Sequence, residues 1–207
     1  MNSSRNLKVI SFLVLLQLTV LSCGEKERPL FSLVPAEHTT IDFRNDLHEG
    51  TDFNILNYIY YYNGGGVSIG DINEDGLPEL FFTANEGPNK LYLNKGELVF
   101  EDITEAAGIP NSEQWSTGSS MVDLNGDGLL DIYVCNLGGG YQGKNGRNQL
   151  FINQGDGTFK ENAKAYGLDF SGYATQATFC IAETGVYGLE VTNAAGCIAY
   201  AEMEVVY

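Results

Sequence analysis

The sequence predicts an all-β protein: a partial β-propeller of two four-stranded blades and the first strand of a third, with a short β-hairpin appended. Two observations lead to this prediction. A loop rich in Asp and Gly occurs twice, 52 residues apart, and short β-branched or aromatic runs flank each copy. The similarity continues beyond the loops, so each unit offers four short strands and a turn segment, which is the pattern of a propeller blade.

The repeated loop has the form D-x-N-x-D-G-x-x-(D/E), in residues 71–79 and 123–131. A hard cation needs oxygen ligands. This loop supplies side-chain oxygens at positions 1, 3, 5 and 9, a backbone carbonyl at position 7, and a Gly at position 6 for the sharp reversal. We therefore predict two Ca²⁺ sites with these ligands: Asp71, Asn73, Asp75, Leu77 and Glu79 in the first, and Asp123, Asn125, Asp127, Leu129 and Asp131 in the second.

The surroundings of the loops distinguish them from EF-hands. Position 12 is Phe82 in one copy and Val134 in the other, where an EF-hand has a bidentate Glu. The flanking runs favour strands, so each loop is expected to be the turn of a β-hairpin. The alternative is a plain Asx-rich turn without metal. Recurrence of every ligand position favours the metal site, as does the crowding of like charges in one turn.

Further strands follow each hairpin in the same order. The second halves of the two units are offset by 59 residues instead of 52, because a seven-residue insertion falls in the Gly-rich residues 138–146. The predicted later strands and turns of the two units are 89–96 with 100–109 and 148–155 with 159–168.

Several short sequence motifs in these units are distinctive: NGGGVSIGD at 63–71, LYLNKG at 91–96, WSTG at 115–118, DGLLDIYV at 127–134, and YGL at 166–168 followed by GYATQA at 172–177. Because of these motifs, residues 41–179 resemble FG-GAP/VCBS repeats, and more narrowly bacterial relatives of cartilage acidic protein that often carry an ASPIC/UnbV domain. That domain is not visible here. The resemblance implies an extracellular, calcium-stabilised β-propeller with binding or adhesion roles and no established catalysis.

The first 23 residues predict export and lipidation. Arg5 and Lys8 precede an apolar stretch at residues 9–21, and the sequence VLSC at 20–23 resembles a lipobox. The stretch is too short for a transmembrane helix. We therefore expect residues 1–22 to be a lipoprotein signal peptide, Cys23 to carry the lipid, and the protein to be anchored to a bacterial membrane, the outer one by preference, at the cell surface or in the periplasm.

The mature chain divides into further predicted segments. A tether at 23–40 leads to an aromatic segment at 41–63, then blade 1 at 64–109, blade 2 at 110–168, and the start of blade 3 at 169–179. The aromatic segment is predicted to pack on the first blade, with an aromatic carbohydrate platform as the alternative.

The repeat breaks near residue 180. No Asp occupies a ligand position of a third loop there, and residues 180–207 resemble the end of a PKD-like or immunoglobulin-like module. This segment is expected to add one hairpin to the preceding strand or to project from it. In an exported chain Cys180 and Cys197 are candidates for a disulfide. Cys135, in an apolar run, is expected to be a buried free thiol.

Composition and length limit the partners. The formal net charge is −16, which argues against a nucleic-acid partner. Two blades cannot close a ring, since propellers have four to eight. The chain is therefore interpreted as a fragment of a longer protein, with an open stack that self-associates through strand edges as the alternative.

Three functional classes remain open at this point. The first is a surface module that binds a glycan or a protein, and this non-enzymatic function is the one predicted. The second is an accessory or catalytic part of a polysaccharide-degrading surface enzyme, with two acids acting as in a glycoside hydrolase. The third is a structural spacer.

Overall fold

The computed structural model describes residues 29–110, 114–138, 146–181, 186–193 and 198–204. The chain divides into two compact units, Met1–Val34 and Pro35–Tyr207. The first contributes only residues 29–34 to the described part. The second begins with a short helix α1 (Ala36–Thr39) and then contains strands. Among the described residues no helix is long and apolar enough to cross a membrane.

Blade 1 is a four-stranded antiparallel sheet with its strands in chain order. Its strands are β1 (Val67–Gly70), β2 (Glu79–Phe82), β3 (Lys90–Asn94) and β4 (Phe100–Asp102). The register pairs Gly70 with Glu79 and Phe82 with Lys90. The first loop thus closes the β1–β2 hairpin, as predicted.

Blade 2 repeats this arrangement. Its strands are β5 (Ser116–Val122), β6 (Asp131–Asn136), β7 (Gln149–Asn153) and β8 (Phe159–Glu161), again in chain order. The pairing of Val122 with Asp131 places the second loop at the same point of the blade as the first. Two four-stranded units therefore confirm the predicted blades.

A third, three-stranded sheet follows. It consists of β9 (Ala174–Ile181), β10 (Val186–Asn193) and β11 (Ile198–Glu204), with β10 between the other two. The C-terminal segment therefore adds a hairpin to the strand that opens blade 3, the first of the two predicted outcomes. Strand β9 runs without interruption through residues 179 and 180. The domain boundary placed there remains a prediction.

The three sheets pack face to face, and β6 lies in the middle of the stack. Ile132 and Val134 join Phe81 and Leu91 of blade 1 in one buried cluster. Tyr133 and Cys135, on the opposite face of β6, join a second cluster that includes Ala174 and Ala177 of β9. Because side chains alternate along a strand, β6 contributes to both cores.

The N-terminal segment covers parts of both blades. The Phe43 ring stacks on Phe82 of β2 with centroids 4.9 Å apart, and the Tyr92 hydroxyl donates to Asp42 at 2.8 Å. Further along, Tyr58 and Tyr61 are buried around Trp115, which immediately precedes β5. The aromatic segment therefore contacts blade 2 as well as the predicted blade 1.

Candidate metal centre

Both predicted metal loops connect the first strand of a blade to its second strand. Residues 71–78 join β1 to β2, and residues 123–130 join β5 to β6. The glycines at position 6, Gly76 and Gly128, have φ angles of 84° and 93°. Only Gly adopts this left-handed conformation at little cost, so the sharp reversal depends on it.

The polar side chains of each loop hold its backbone in the same way. Asp71 Oδ2 accepts a hydrogen bond from Gly76 N at 2.8 Å, and Asp123 Oδ2 accepts one from Gly128 N at 2.9 Å. The amides of positions 5 and 7 donate to the side chains of positions 3 and 5 in both loops, at 2.8–3.0 Å. These are Asx turns, in which a short side chain substitutes for a backbone acceptor.

The acid at position 9 lies beneath each loop at the start of the second strand. Glu79 and Asp131 have no solvent-exposed surface. Asp131 accepts hydrogen bonds from Leu124 N at 3.0 Å and Asn153 N at 2.9 Å. Glu79 accepts from Ile72 N at 2.9 Å in the equivalent way. Each buried carboxylate is thus fixed by backbone amides at the base of its loop.

Burial raises the pKa of both position 9 acids. The pKa of Asp131 rises to about 6, although the amides of Asn153 and Leu124 pull it down, and the charges of Asp127 and Asp123 raise it further. Burial likewise raises the pKa of Glu79, although hydrogen bonds from the backbone amides of Ile72 and Asn94 lower it. A carboxylate that is buried next to other acids favours either a proton or a cation.

The donor set fits Ca²⁺ in its chemistry. The side chains at positions 1, 3, 5 and 9 of both loops carry carboxylate or amide oxygens, which are the ligands of hard cations, and position 7 offers a backbone carbonyl. In the described part of the chain, however, no three His, Cys, Asp or Glu side chains are grouped to hold a metal ion. In both loops one oxygen of the position 5 acid accepts a hydrogen bond from the position 3 side chain: Asn73 donates to Asp75 Oδ2 at 3.0 Å, and Asn125 donates to Asp127 Oδ2 at 2.8 Å. The predicted acidic ligands therefore share a loop without forming such a group.

Two asparagines that support the loops were not predicted from the sequence. Asn94 and Asn153 end the third strand of their blades, in the words LYLN and LFIN. Asn94 Nδ2 donates to Pro78 O at 2.9 Å, and Asn153 Nδ2 donates to Leu130 O at 3.2 Å. Both asparagines therefore hold the residue before the position 9 acid. The recurrence of Asn at the same strand position in both blades could have indicated this role from the sequence.

The predicted cysteine sites have different outcomes. Cys23 and Cys197 lie outside the described residues, and the side chain of Cys180 is not described, so lipidation and the disulfide remain predictions. Cys135 is a buried free thiol, as expected. Burial raises its pKa to about 12, so the thiolate that would react is strongly disfavoured.

Comparisons with known proteins agree with this repeat structure. A family model described as an FG-GAP-like repeat matches residues 71–134, from position 1 of the first loop through the second loop into β6. Cartilage acidic protein 1 of Xenopus tropicalis is 33% identical over 92 residues, which are 44% of this chain and 13% of that protein.

The human and mouse proteins of the same name are each 35% identical over 79 residues, which are 38% of this chain and 12% of theirs. The chain thus matches about an eighth of the length of these relatives. The family model and the relatives, together with the two four-stranded sheets, support the presence of FG-GAP-like repeats in this part of the chain.

Proposed function

We propose that this chain is a calcium-stabilised, propeller-like module that is exported and binds a glycan or a protein, without catalytic activity. The observation that supports it best is the equivalence of the two loops. They occupy the same position in successive blades, use the same Asx turns, and have a fully buried acid at position 9. A turn that only reversed the chain would not need a buried carboxylate at its base.

In the proposed sites, the side chains at positions 1, 3, 5 and 9 and the carbonyl at position 7 hold Ca²⁺. The ion supplies positive charge that offsets the crowded acids and cross-links the ends of the first two strands. The position 5 carboxylates, which accept hydrogen bonds from Asn73 and Asn125, would be among the side chains that hold the ion.

We extend the proposal to location and partners. The lipobox-like residues 20–23 support anchoring through Cys23 to a bacterial membrane surface, where extracellular Ca²⁺ is abundant. Mass spectrometry of the mature N-terminus checks this anchor, since an unmodified Cys23 contradicts it. The binding role is proposed from the repeat type, and the open edges of the three sheets support self-association.

Calorimetry and thermal unfolding test the calcium sites. The purified protein is expected to bind two Ca²⁺ ions. Chelation with EDTA then lowers the free energy of unfolding by about 2.7 kcal/mol per site if calcium had been present at about 100 times its Kd. Mg²⁺ is expected to substitute poorly, because it requires a tighter octahedral arrangement.

Three matched variants make the test specific to the loops. Asp75→Ala and Asp127→Ala are each expected to remove one of the two calcium equivalents. Asp156→Ala is the control, because Asp156 makes an Asx turn with Thr158 N at 3.0 Å in the β7–β8 turn, outside both sites. The proposal fails if the wild-type protein binds no calcium, or if Asp156→Ala reduces the stoichiometry as the loop variants do.

A further inference from the structure

A cavity of about 360 Å³ lies where β1, β5 and β9 begin. These three strands, the first of each sheet in chain order, are called the inner strands below. Residues 64–67, 117–119 and 175–176 contribute to its lining, one group from each of the three sheets. The metal loops, in contrast, follow the ends of β1 and β5. This inner-strand pocket is therefore a separate site.

Glycines allow the walls of the pocket to approach one another closely. A Cβ atom on Gly66 would lie 2.9 Å from the Cα of Gly118, and one on Gly118 would lie 2.5 Å from the carbonyl oxygen of Thr175. Gly65 has even less room, with the Thr83 carbonyl oxygen 1.8 Å from its ideal Cβ position. Only Gly permits such close approach of the backbones at these positions.

The lining is uncharged in a very acidic protein. The chain has a formal net charge of −16, yet none of the described residues that line the pocket is charged. Three aromatic residues form one wall of the lining: Tyr60 is partly exposed, and Tyr58 and Trp115 are buried. Such a lining offers nothing to offset the charge of an anion or a cation, so it favours a neutral ligand.

Two of the polar residues that line the pocket are exposed amides. Asn63 and Gln176 are exposed and line the pocket from opposite sides of the stack, one before β1 and the other in β9. A side-chain amide both donates and accepts hydrogen bonds. An aromatic wall combined with amides suits a molecule with an apolar ring face and a rim of hydroxyl groups, because each part of the molecule then finds a partner.

From these observations we propose that the inner-strand pocket binds a neutral saccharide, an assignment that rests on the proposed binding function. Its volume is near the lower end of the range of about 300–1,000 Å³ for small-molecule sites. The pocket therefore accommodates a terminal or single sugar unit and not the length of a polysaccharide.

The chain contains a natural reporter for this site. Trp115 is its single tryptophan and lines the pocket, so intrinsic tryptophan fluorescence responds to an occupant. The experiment titrates the whole chain, in excess Ca²⁺, with methyl β-glucopyranoside, methyl β-galactopyranoside, methyl α-mannopyranoside and methyl N-acetyl-β-glucosaminide. Glucuronate and glucosamine serve as charged comparisons, and saturation-transfer NMR detects binding independently. We expect a saturable change with at least one neutral glycoside and weaker or no binding of the charged sugars.

Two pairs of variants locate the binding. Val67 and Ile69 are both exposed on β1, at 54% and 64%, but only Val67 lines the pocket. Val67→Phe is expected to weaken binding at least about tenfold by filling the opening, while Ile69→Phe leaves it unchanged. Tyr60→Ala is expected to weaken binding, while Tyr62→Ala, an exposed tyrosine outside the pocket lining, does not.

The outcomes separate this inference from the calcium proposal. Calcium stoichiometry is measured by calorimetry on the same samples. Two bound calcium ions without saturable binding of any neutral glycoside overturn the pocket assignment and leave the calcium sites intact. Equal effects of Val67→Phe and Ile69→Phe, or preferential binding of a charged sugar, also overturn it. Loss of calcium binding alone counts against the metal sites and not against the pocket.

Discussion

Blade 1 and blade 2 share a strand order and a loop, but they differ in burial. All six residues of β6 in blade 2 are buried, whereas β2 in blade 1 alternates between buried and half-buried residues. The sequences do not explain this difference, since Leu80 and Phe82 of β2 are as apolar as Ile132 and Val134 at the equivalent positions of β6.

The neighbours of each blade explain the difference. Blade 2 has blade 1 on one face and β9 on the other, so both faces of β6 are covered. Among the described residues, blade 1 has a sheet on one face only. Part of its other face is covered by the N-terminal segment, through Phe43 on Phe82, but Val67 and Ile69 of β1 remain exposed. A repeat therefore acquires a complete core only from its position in the stack, as in other repeat architectures.

The largest expected effect tests this difference in burial. Ile132→Ala is expected to cost about 3 kcal/mol of unfolding free energy, because it removes a fully buried side chain and leaves a cavity between the blades. The equivalent Leu80→Ala in half-buried surroundings is expected to cost about 1 kcal/mol. Urea unfolding of both variants measures the difference. Equal costs would show that the face of blade 1 that carries Leu80 is covered to the same extent as the equivalent face of blade 2.

An intermediate effect is expected at the asparagines that support the loops. Asn153 is buried, and its Nδ2 donates to Ile72 O at 2.8 Å, so it joins blade 2 to the loop of blade 1. Asn94 is half-buried and bonds within blade 1. Because Asn153→Ala leaves a buried carbonyl without its partner, it is expected to cost about 2 kcal/mol, and Asn94→Ala about 1 kcal/mol.

Thermal unfolding in excess EDTA is the appropriate measurement for this pair, because calcium binding is then removed from both variants. A cost for Asn153→Ala no greater than that for Asn94→Ala would mean that the bond between the blades contributes little.

The smallest effect concerns position 4 of the metal loops. Glu74 has a φ of 60°, and the equivalent Gly126 has a φ of 76°. A side chain in this left-handed region costs about 1 kcal/mol, so Glu74→Gly is expected to stabilise the protein by up to about that amount, and Gly126→Ala to destabilise it by a similar amount. Opposite shifts in melting temperature check the prediction. Shifts of the same sign would indicate that the two loops differ in backbone conformation.

The conformation of the two predicted metal loops was predictable because it depends on contacts between residues that are close together in the sequence. The Asx turns involve residues only two to five positions apart, and the Gly at position 6 marks the reversal. The hairpins were also predictable, since each loop joins strands that are adjacent in the sequence. The same reasoning located Cys135 in an apolar strand, and therefore in the core.

The supporting contacts were not predictable in this way. Asn153 bonds to Ile72 across 81 positions of sequence, and Trp115 collects aromatic rings from residues that precede it by more than fifty positions. The inner-strand pocket likewise combines residues of three sheets. Such contacts depend on how sheets stack, and a strand pattern does not specify the stacking.

The sequence by itself determined the repeated blade, the loop that closes its first hairpin, and the Asx turns within that loop, because turn chemistry and strand alternation act over a few residues. Only the tertiary structure decided which face of each blade is covered, that the C-terminal hairpin continues the third sheet, and that residues of three sheets line one pocket. The physical reason is that burial and close approach depend on elements distant in sequence, which meet only when the sheets pack together.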